Sequence, residues 1–354
     1  MNKVKVMIVD DSSIVRKILG DIITADPNLE VVDKVSNGKI ALTKLTISKP
    51  DIITLDIEMP ELNGLETLKA LKQIDQKTKV IMCSSLTKAS AKTTLEALSL
   101  GANDFITKPE GGVSPAVIFE TLKKELIPKI YSACEIVRNT SFKTQHVLNP
   151  ASVQNYRVDL VVIGVSTGGP SALEHVIPKL PGNLAVPVIV VQHMPPVFTK
   201  SLAERLNSLS ALKVMEAFDG QEIFAGGVFI APGGKHIVLD RLNLATTVIR
   251  TNEDPPENSC RPAVDVLFRS AATTFGKNTL ALVMTGMGYD GTKGGKQIVD
   301  IGGQLIIQDK ETSVVWGMPG AIAEAGFAQA ILPLDNIAQD ILTRVYKFRS
   351  LRRV

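Results

Sequence analysis

The stretch VDLVVIGVSTGGPSAL, Val158 to Leu173, decides how the second half of this chain folds. A run of β-branched residues ends in Gly164-Val165-Ser166-Thr167-Gly168-Gly169-Pro170, and helix-forming residues follow at once, so the chain reads strand, tight turn, helix. Ser166 stands at the apex. The flanking glycines admit the cramped dihedrals of such a turn, and Pro170 suits the first turn of a helix because its missing N–H would have had no partner there. A serine so held projects its hydroxyl into the crevice above a sheet, beside the unpaired N–H groups of a helix N-terminus, which is what a developing oxyanion needs. The spacing satisfies G-x-S-x-G in the context of a nucleophile elbow. The same residues also serve a phosphate-cradling or merely structural Gly-rich turn, so partners elsewhere in the chain must decide.

The 354 residues point to two domains, and an apolar fraction of 45% is ample for two cores. Apolar runs such as Leu184 to Val191 fall far short of a membrane span, and Met1 to Val9 is too brief for a secretory signal, so a cytoplasmic protein without membrane insertion is expected. Cys83, Cys134 and Cys260 are odd in number, far apart and without C-x-x-C spacing, which argues against a disulfide framework and against a zinc site. A net charge of +3 leaves no footprint for nucleic acid, and the basic tail Lys347, Arg349, Arg352, Arg353 reads as a solvated helix end.

Residues 1–126 alternate strand and helix. Val4 to Val9, Val31 to Val35, Ile52 to Leu55, Val80 to Cys83 and Asp104 to Ile106 read as strands, the last followed by a helix over Val117 to Leu126. That rhythm implies a parallel sheet covered on both faces, with ligands beyond the carboxyl ends of its strands. At those ends stand Asp10, Asp11, Asp56, Ser84 and Lys108. Singly, each acid is an ordinary solvated loop end. Together, three converging carboxylates repel one another unless a hard cation such as Mg²⁺ sits among them, and Lys108 can hold a further anion. An aspartate so placed is suited to accept a phosphoryl group.

The set Asp10-Asp11, Asp56 within Thr54 to Pro60, Ser84-Ser85 and Phe105 to Pro109 resembles the receiver domain of two-component response regulators. The resemblance implies a flavodoxin-like (βα)5 fold, Asp56 as phosphoacceptor, Asp10, Asp11 and Asp56 as Mg²⁺ ligands, Ser84 as the hydroxyl that swings to the phosphoryl group, and Lys108 as its counter-cation. It also implies a cis Lys108-Pro109 bond. The aromatic switch position, often tyrosine, is Phe105 here.

Residues 127–156 lack a sustained apolar period and read as a linker, with a helical turn near Ile130 to Val137. In residues 157–354 the α/β rhythm resumes around a β-rich interlude, Lys213 to Ala217, Val228 to Ala231, Ile237 to Asp240 and Ala245 to Arg250, expected to be hairpin-connected around Pro232-Gly233-Gly234. A second doubly wound, mainly parallel sheet is expected. A serine nucleophile needs a base and an orienting acid. His146 falls in the linker, and His175 sits on the helix after Ser166, about 13 Å away. His193 ends the strand after the Ser166 unit and is the natural neighbour in a parallel sheet, with His236 the rival. For the acid, Asp290 lies in Met284 to Gly291, another strand-to-helix junction bracketed by glycines, where backbone N–H groups around Met287 are expected to be available to an oxyanion. An N-cap role for Asp290 is compatible with this, while Asp265 and Asp240 lie in regular elements.

The runs GVSTGGP, QHMPP, APGGKH and TGMGYDG, behind a receiver, resemble the chemotaxis protein-glutamate methylesterases. That resemblance implies phosphorylation-activated hydrolysis of glutamyl methyl esters, and deamidation of glutamines, on methyl-accepting chemotaxis receptors. It implies a chemotaxis histidine kinase as phosphodonor, Ser166 as nucleophile, His193 as base, Asp290 as its orienter, Thr167 and Met287 beside them, and no cofactor in the catalytic domain. Two other classes fit less well. A DNA-binding output would need a helix-turn-helix and more charge, and a nucleotide module would need G-x-G-x-x-G or a Walker lysine.

Overall fold

The computed structural model describes residues 3–108, 114–134 and 157–349, and the chain divides into two compact units, Met1–Thr140 and Ser141–Val354. In the first, strands β1 (Val4–Val9), β2 (Leu29–Val35), β3 (Ile52–Asp56), β4 (Lys79–Ser84) and β5 (Asp104–Thr107) form a five-stranded sheet in the order β2-β1-β3-β4-β5. All its pairings are parallel. β3 is buried along its whole length, as a central strand covered on both faces must be.

The final helix of this unit, α5 (Pro115–Ala133), continues past the expected end at Leu126 and runs through Pro128. Ile127, Ile130 and Ala133 are buried in the core of the sheet, and Lys129 is anchored by Asp104 at 3.3 Å, Glu125 at 3.4 Å and the carbonyl of Phe105. Those contacts outweigh the hydrogen bond that Pro128 forfeits. The first residues of the expected linker are therefore helix packed on the receiver sheet. The rest of the linker, His146 and the Lys108-Pro109 bond lie outside the described residues.

In the second unit, β6 (Leu160–Val165) is wholly buried and central. Its six apolar positions leave no solvent face, so it pairs in parallel with β7 (Val188–Gln192) on one side and β13 (Thr279–Val283) on the other. The seven-stranded order is β15-β14-β13-β6-β7-β10-β8, with β8 Lys213–Glu216, β10 Gly227–Ile230, β14 Gln304–Gln308 and β15 Ala330–Leu332. At three residues, β15 is too short to carry a readable period.

The β-rich interlude differs from expectation. Two of its four segments, β8 and β10, pair in parallel within the main sheet. The physical reason is that β10 is buried at every position. The hairpin is instead β11 (His236–Arg241) with β12 (Thr247–Asn252), antiparallel. It turns where Asn243 Oδ1 accepts from the N–H groups of Ala245 and Thr246, each at 2.9 Å. Pro232-Gly233-Gly234 makes no hairpin and links the main sheet to this ribbon. Helix α8 (Val264–Phe275) packs Leu267, Phe268 and Ala271 into the core between them.

Candidate active site

Three neighbouring strands set the geometry, since β13, β6 and β7 lie side by side and Asp290, Ser166 and His193 follow their carboxyl ends. The Val165–Gln192 pairing puts Ser166 and His193 at adjoining strand ends, and His193 N–H donates to Val165 O at 3.1 Å.

Ser166 opens a turn closed by Gly169 N–H donating to Ser166 O at 2.8 Å. Gly168 takes φ 77°, ψ −4°, and a Cβ there would meet Val314 Cβ at 2.6 Å. Both the dihedral and the space demand glycine. The turn is tied from three sides. Ser166 N–H donates to Thr285 O at 3.1 Å, Thr285 Oγ1 donates to Thr167 O at 2.9 Å, and Gln192 Nε2 donates to Ser166 O at 2.8 Å. Among the described residues the Ser166 hydroxyl itself has no hydrogen-bond partner. Helix α6 (Gly169–Val176) begins directly behind it. Met287 is 41% exposed, and its N–H makes no hydrogen bond among the described residues.

A Cβ on Gly286 would fall 2.8 Å from Ser166 Cβ and 2.5 Å from Met318 Sδ. We expect Gly286→Ala to displace Ser166 and lower kcat by about a hundredfold with little change in KM. Steady-state kinetics check this, and unchanged kcat refutes it.

His193 places Nε2 at 2.8 Å from Asp290 Oδ2. Asp290 is 2% exposed, with Val264 N–H (2.7 Å) on Oδ2 and Asp265 N–H (3.0 Å), Gly291 N–H (3.0 Å) and Asn258 Nδ2 (2.9 Å) on Oδ1. Burial pushes its carboxyl up, but the bond and charge of His193 and the backbone donors outweigh this and hold it below the usual carboxylate range. Burial pushes His193 down, and its bonds to Asp290 and Cys260 outweigh that, raising it to about 9. Nδ1 of the same ring faces Cys260 Sγ at 3.5 Å.

The other titratable candidates have other employment. His236 is 1% exposed, accepts Ala263 N–H on Nδ1 and faces Pro255 O through Nε2. His175 pairs with Asp335 at the surface. Asp265 is buried, receiving Gly294 N–H and Asn258 Nδ2, and Asp240 pairs with Arg250.

A family model described as CheB methylesterase matches residues 161–341, and one described as a response regulator receiver domain matches residues 6–118.

The chain belongs to the CheB methylesterase family.

A relative from Trichodesmium erythraeum, named protein-glutamate methylesterase/protein-glutamine glutaminase, is 47% identical over 98% of this chain and 100% of its own length. One from Thermotoga maritima with the same name is 44% identical over 97% of this chain and 98% of its own. The crystal structure of the Thermotoga maritima CheB methylesterase catalytic domain matches with a TM-score of 0.51 and 45% identity, covering 53% of this chain and 98% of that one.

In the receiver unit of this CheB-family chain, Asp10, Asp11 and Asp56 offer oxygens within 4.8 Å of one another. Lys108 Nζ lies 2.9 Å from Asp10 Oδ2 and 2.7 Å from Asp56 Oδ1. Burial pushes the Asp56 carboxyl up to about 6, with the Lys108 bond opposing and the Asp10 charge adding. Asp56 Oδ2 is buried without a hydrogen-bond partner. An orphaned, buried carboxylate oxygen in an all-oxygen cluster fits Mg²⁺. Ser84 is buried, accepts from Thr94 Oγ1 at 2.8 Å and donates to Ser85 O at 3.2 Å. Phe105 is turned inward at 5% exposure, under the Lys129 ammonium 5.1 Å from its ring centroid.

Sequence reasoning did not find Asn258, Cys260, Gln192 or Thr285. The dipeptide Asn258-Ser259 between Pro256 and Pro262 was the one available signal, since it marks a tight turn near a strand end. Among the described residues no helix is long and apolar enough to cross a membrane.

Proposed function

We propose that the chain is a phosphorylation-controlled protein-glutamate methylesterase that hydrolyses glutamyl methyl esters, and deamidates glutamines, on chemotaxis receptors through Ser166, His193 and Asp290. The observation that carries this reading is the His193 Nε2 to Asp290 contact of 2.8 Å beside the strand end that bears Ser166. Asp290 takes the Nε2 proton as a hydrogen bond, which fixes the tautomer and leaves the Nδ1 lone pair to act as base. The Ser166 Oγ–H loses its proton to Nδ1 as Oγ bonds to the ester carbonyl carbon. The tetrahedral oxyanion is met by N–H groups at Thr167 and Met287. His193 then protonates the leaving oxygen and methanol departs. Water, deprotonated by the same nitrogen, frees the glutamate and restores Ser166; with glutamine the departing molecule is ammonia. The test is fluorophosphonate labelling of the full chain with peptide mapping. A tag on Ser166 is expected, and a tag elsewhere removes the assignment.

Since His193 must be neutral to accept a proton and its pKa is raised, the active fraction grows with pH. The ascending limb of kcat/KM is expected above the 6.5 of free imidazole, toward about 9. A pH–rate profile already flat at pH 7 contradicts this.

In the receiver, Asp10, Asp11 and Asp56 would hold Mg²⁺, which supplies charge neutralisation for phosphoryl transfer to Asp56. Lys108 balances the added charge, and the Ser84 hydroxyl exchanges the bond that it donates to Ser85 O for one to the phosphoryl oxygen. An acyl-phosphate donor is expected to raise methylesterase activity by about 5- to 150-fold, the usual range of coupling between two sites. Asp56→Asn is expected to abolish that response while keeping the basal rate, as followed by methanol release.

A further inference from the structure

Cys260 occupies a position that its spacing in the sequence did not foretell. Its Sγ lies 3.5 Å from His193 Nδ1, and the opposite ring nitrogen is bonded to Asp290. In the neutral ring with its proton on Nε2, the form the proposed mechanism uses, Nδ1 carries the free lone pair, 3.5 Å from the thiol sulfur. A carboxylate fixing the far nitrogen of an imidazole is the habitual support of a histidine that binds a metal ion. The spacing agrees: bonds of about 2.3 Å to sulfur and 2.0–2.1 Å to nitrogen at a tetrahedral angle put the two ligand atoms about 3.5 Å apart. Ligand atoms of His193, Cys260 and Asp290 lie within 4.8 Å of one another.

The thiol is also held in place. Glu257 and Cys260 exchange backbone hydrogen bonds of 3.1 and 2.9 Å across Asn258 and Ser259, whose φ values are 52° and 64°. Two left-handed residues in succession make a tight turn of the I′ kind. Arg269 clamps Glu257 through two contacts of 2.7 and 2.6 Å, and Asn258 bridges Asp265 and Asp290. Cys260 is only partly buried, so an ion can reach it from solvent.

We propose that Cys260 and His193 together bind a thiolate-seeking divalent cation, Zn²⁺ being the representative case, and that occupancy switches the methylesterase off. The Cys260 proton leaves to solvent as the Sγ–metal bond forms, and Nδ1, after releasing to solvent the proton it carries whenever the ring is charged, gives its lone pair to the second bond. The remaining positions fall to water. The inhibitory half rests on the reading of His193 as base, because the lone pair that holds the ion is the one that must receive the Ser166 proton. The site is distinct in kind from the all-oxygen cluster at Asp56, which suits hard cations.

The experiment uses the full-length chain at constant Mg²⁺. Titration with Co²⁺ is expected to produce thiolate-to-metal charge-transfer absorption, displaced by Zn²⁺, while Zn²⁺ suppresses methanol release and a chelator restores it. A Cys83→Ala/Cys134→Ala chain should keep the absorption. Cys260→Ala should lose it, and its Zn²⁺ concentration for half-inhibition, measured against its own rate, should rise at least about tenfold. Cys260→Ser gives a second version should the alanine chain fold poorly. Absorption absent from the wild type, or unchanged in both Cys260 variants, overturns the site. Co²⁺ held through Cys260 with undiminished esterase overturns the inhibition, whereas full esterase in a Ser166→Ala chain overturns the underlying assignment instead.

Discussion

Ser166→Ala is expected to lower kcat for methyl-ester hydrolysis by about a millionfold on the proposed mechanism, in which Ser166, His193 and Asp290 act as a unit and loss of the nucleophile removes nearly all that the unit contributes. Folding stability should barely move. The hydroxyl has no hydrogen-bond partner among the described residues, so its removal strands no buried donor or acceptor. The alanine retains the Cβ that Gly286 packs against. A change within about 0.5 kcal/mol is expected in denaturant unfolding. Methanol release from methylated receptor and an unfolding curve on the same preparation check both halves, and a rate within tenfold of wild type ends the serine mechanism.

Asp290→Asn is expected to cost about 10⁴-fold in kcat for a different reason. The carboxylate accepts on both edges: Val264 N–H and His193 on Oδ2, and Asp265 N–H, Gly291 N–H and Asn258 Nδ2 on Oδ1. An amide has one accepting edge only. If its NH₂ faces His193, it meets Nε2 as a donor, drives the ring proton to Nδ1 and removes the base from the side that Ser166 needs. If its NH₂ faces the other way, it opposes three donors instead of one. Either choice leaves buried polar groups unmatched, and a loss of about 1–3 kcal/mol in stability should accompany the rate effect. Wild-type turnover in this variant would show that the acid orients nothing.

How far the sequence could be read depends on what kind of element carries each residue. Strand ends were readable because β1, β3, β6, β7 and β13 are mainly apolar runs stopping at a polar or glycine-rich junction, and Asp10, Asp56, Ser166 and His193 sit at or beside such stops. The α/β class of both units followed from the same alternation. Sheet membership of β8 and β10 was not readable, since short apolar strands look alike in parallel and antiparallel company; burial at every position marks β10 as internal, while β8 is a partly exposed edge strand that only its pairing with β10 places. The persistence of α5 past Leu126 depends on Lys129 finding Asp104 and the Phe105 carbonyl, contacts far off in the sequence. Asn258 and Cys260 were hidden for a related reason: they ride on an irregular turn, where no period announces which way a side chain faces.

On the proposed mechanism, which nitrogen of His193 acts as the base has a practical outcome. The ring is turned with Nε2 toward Asp290, so an electrophilic substrate mimic that is captured by the imidazole should bond the nitrogen nearer the main chain. After total hydrolysis the adduct would be recovered as the pros-substituted amino acid and not the tele isomer. Chromatography against the two synthetic standards would therefore read the orientation of the ring in solution.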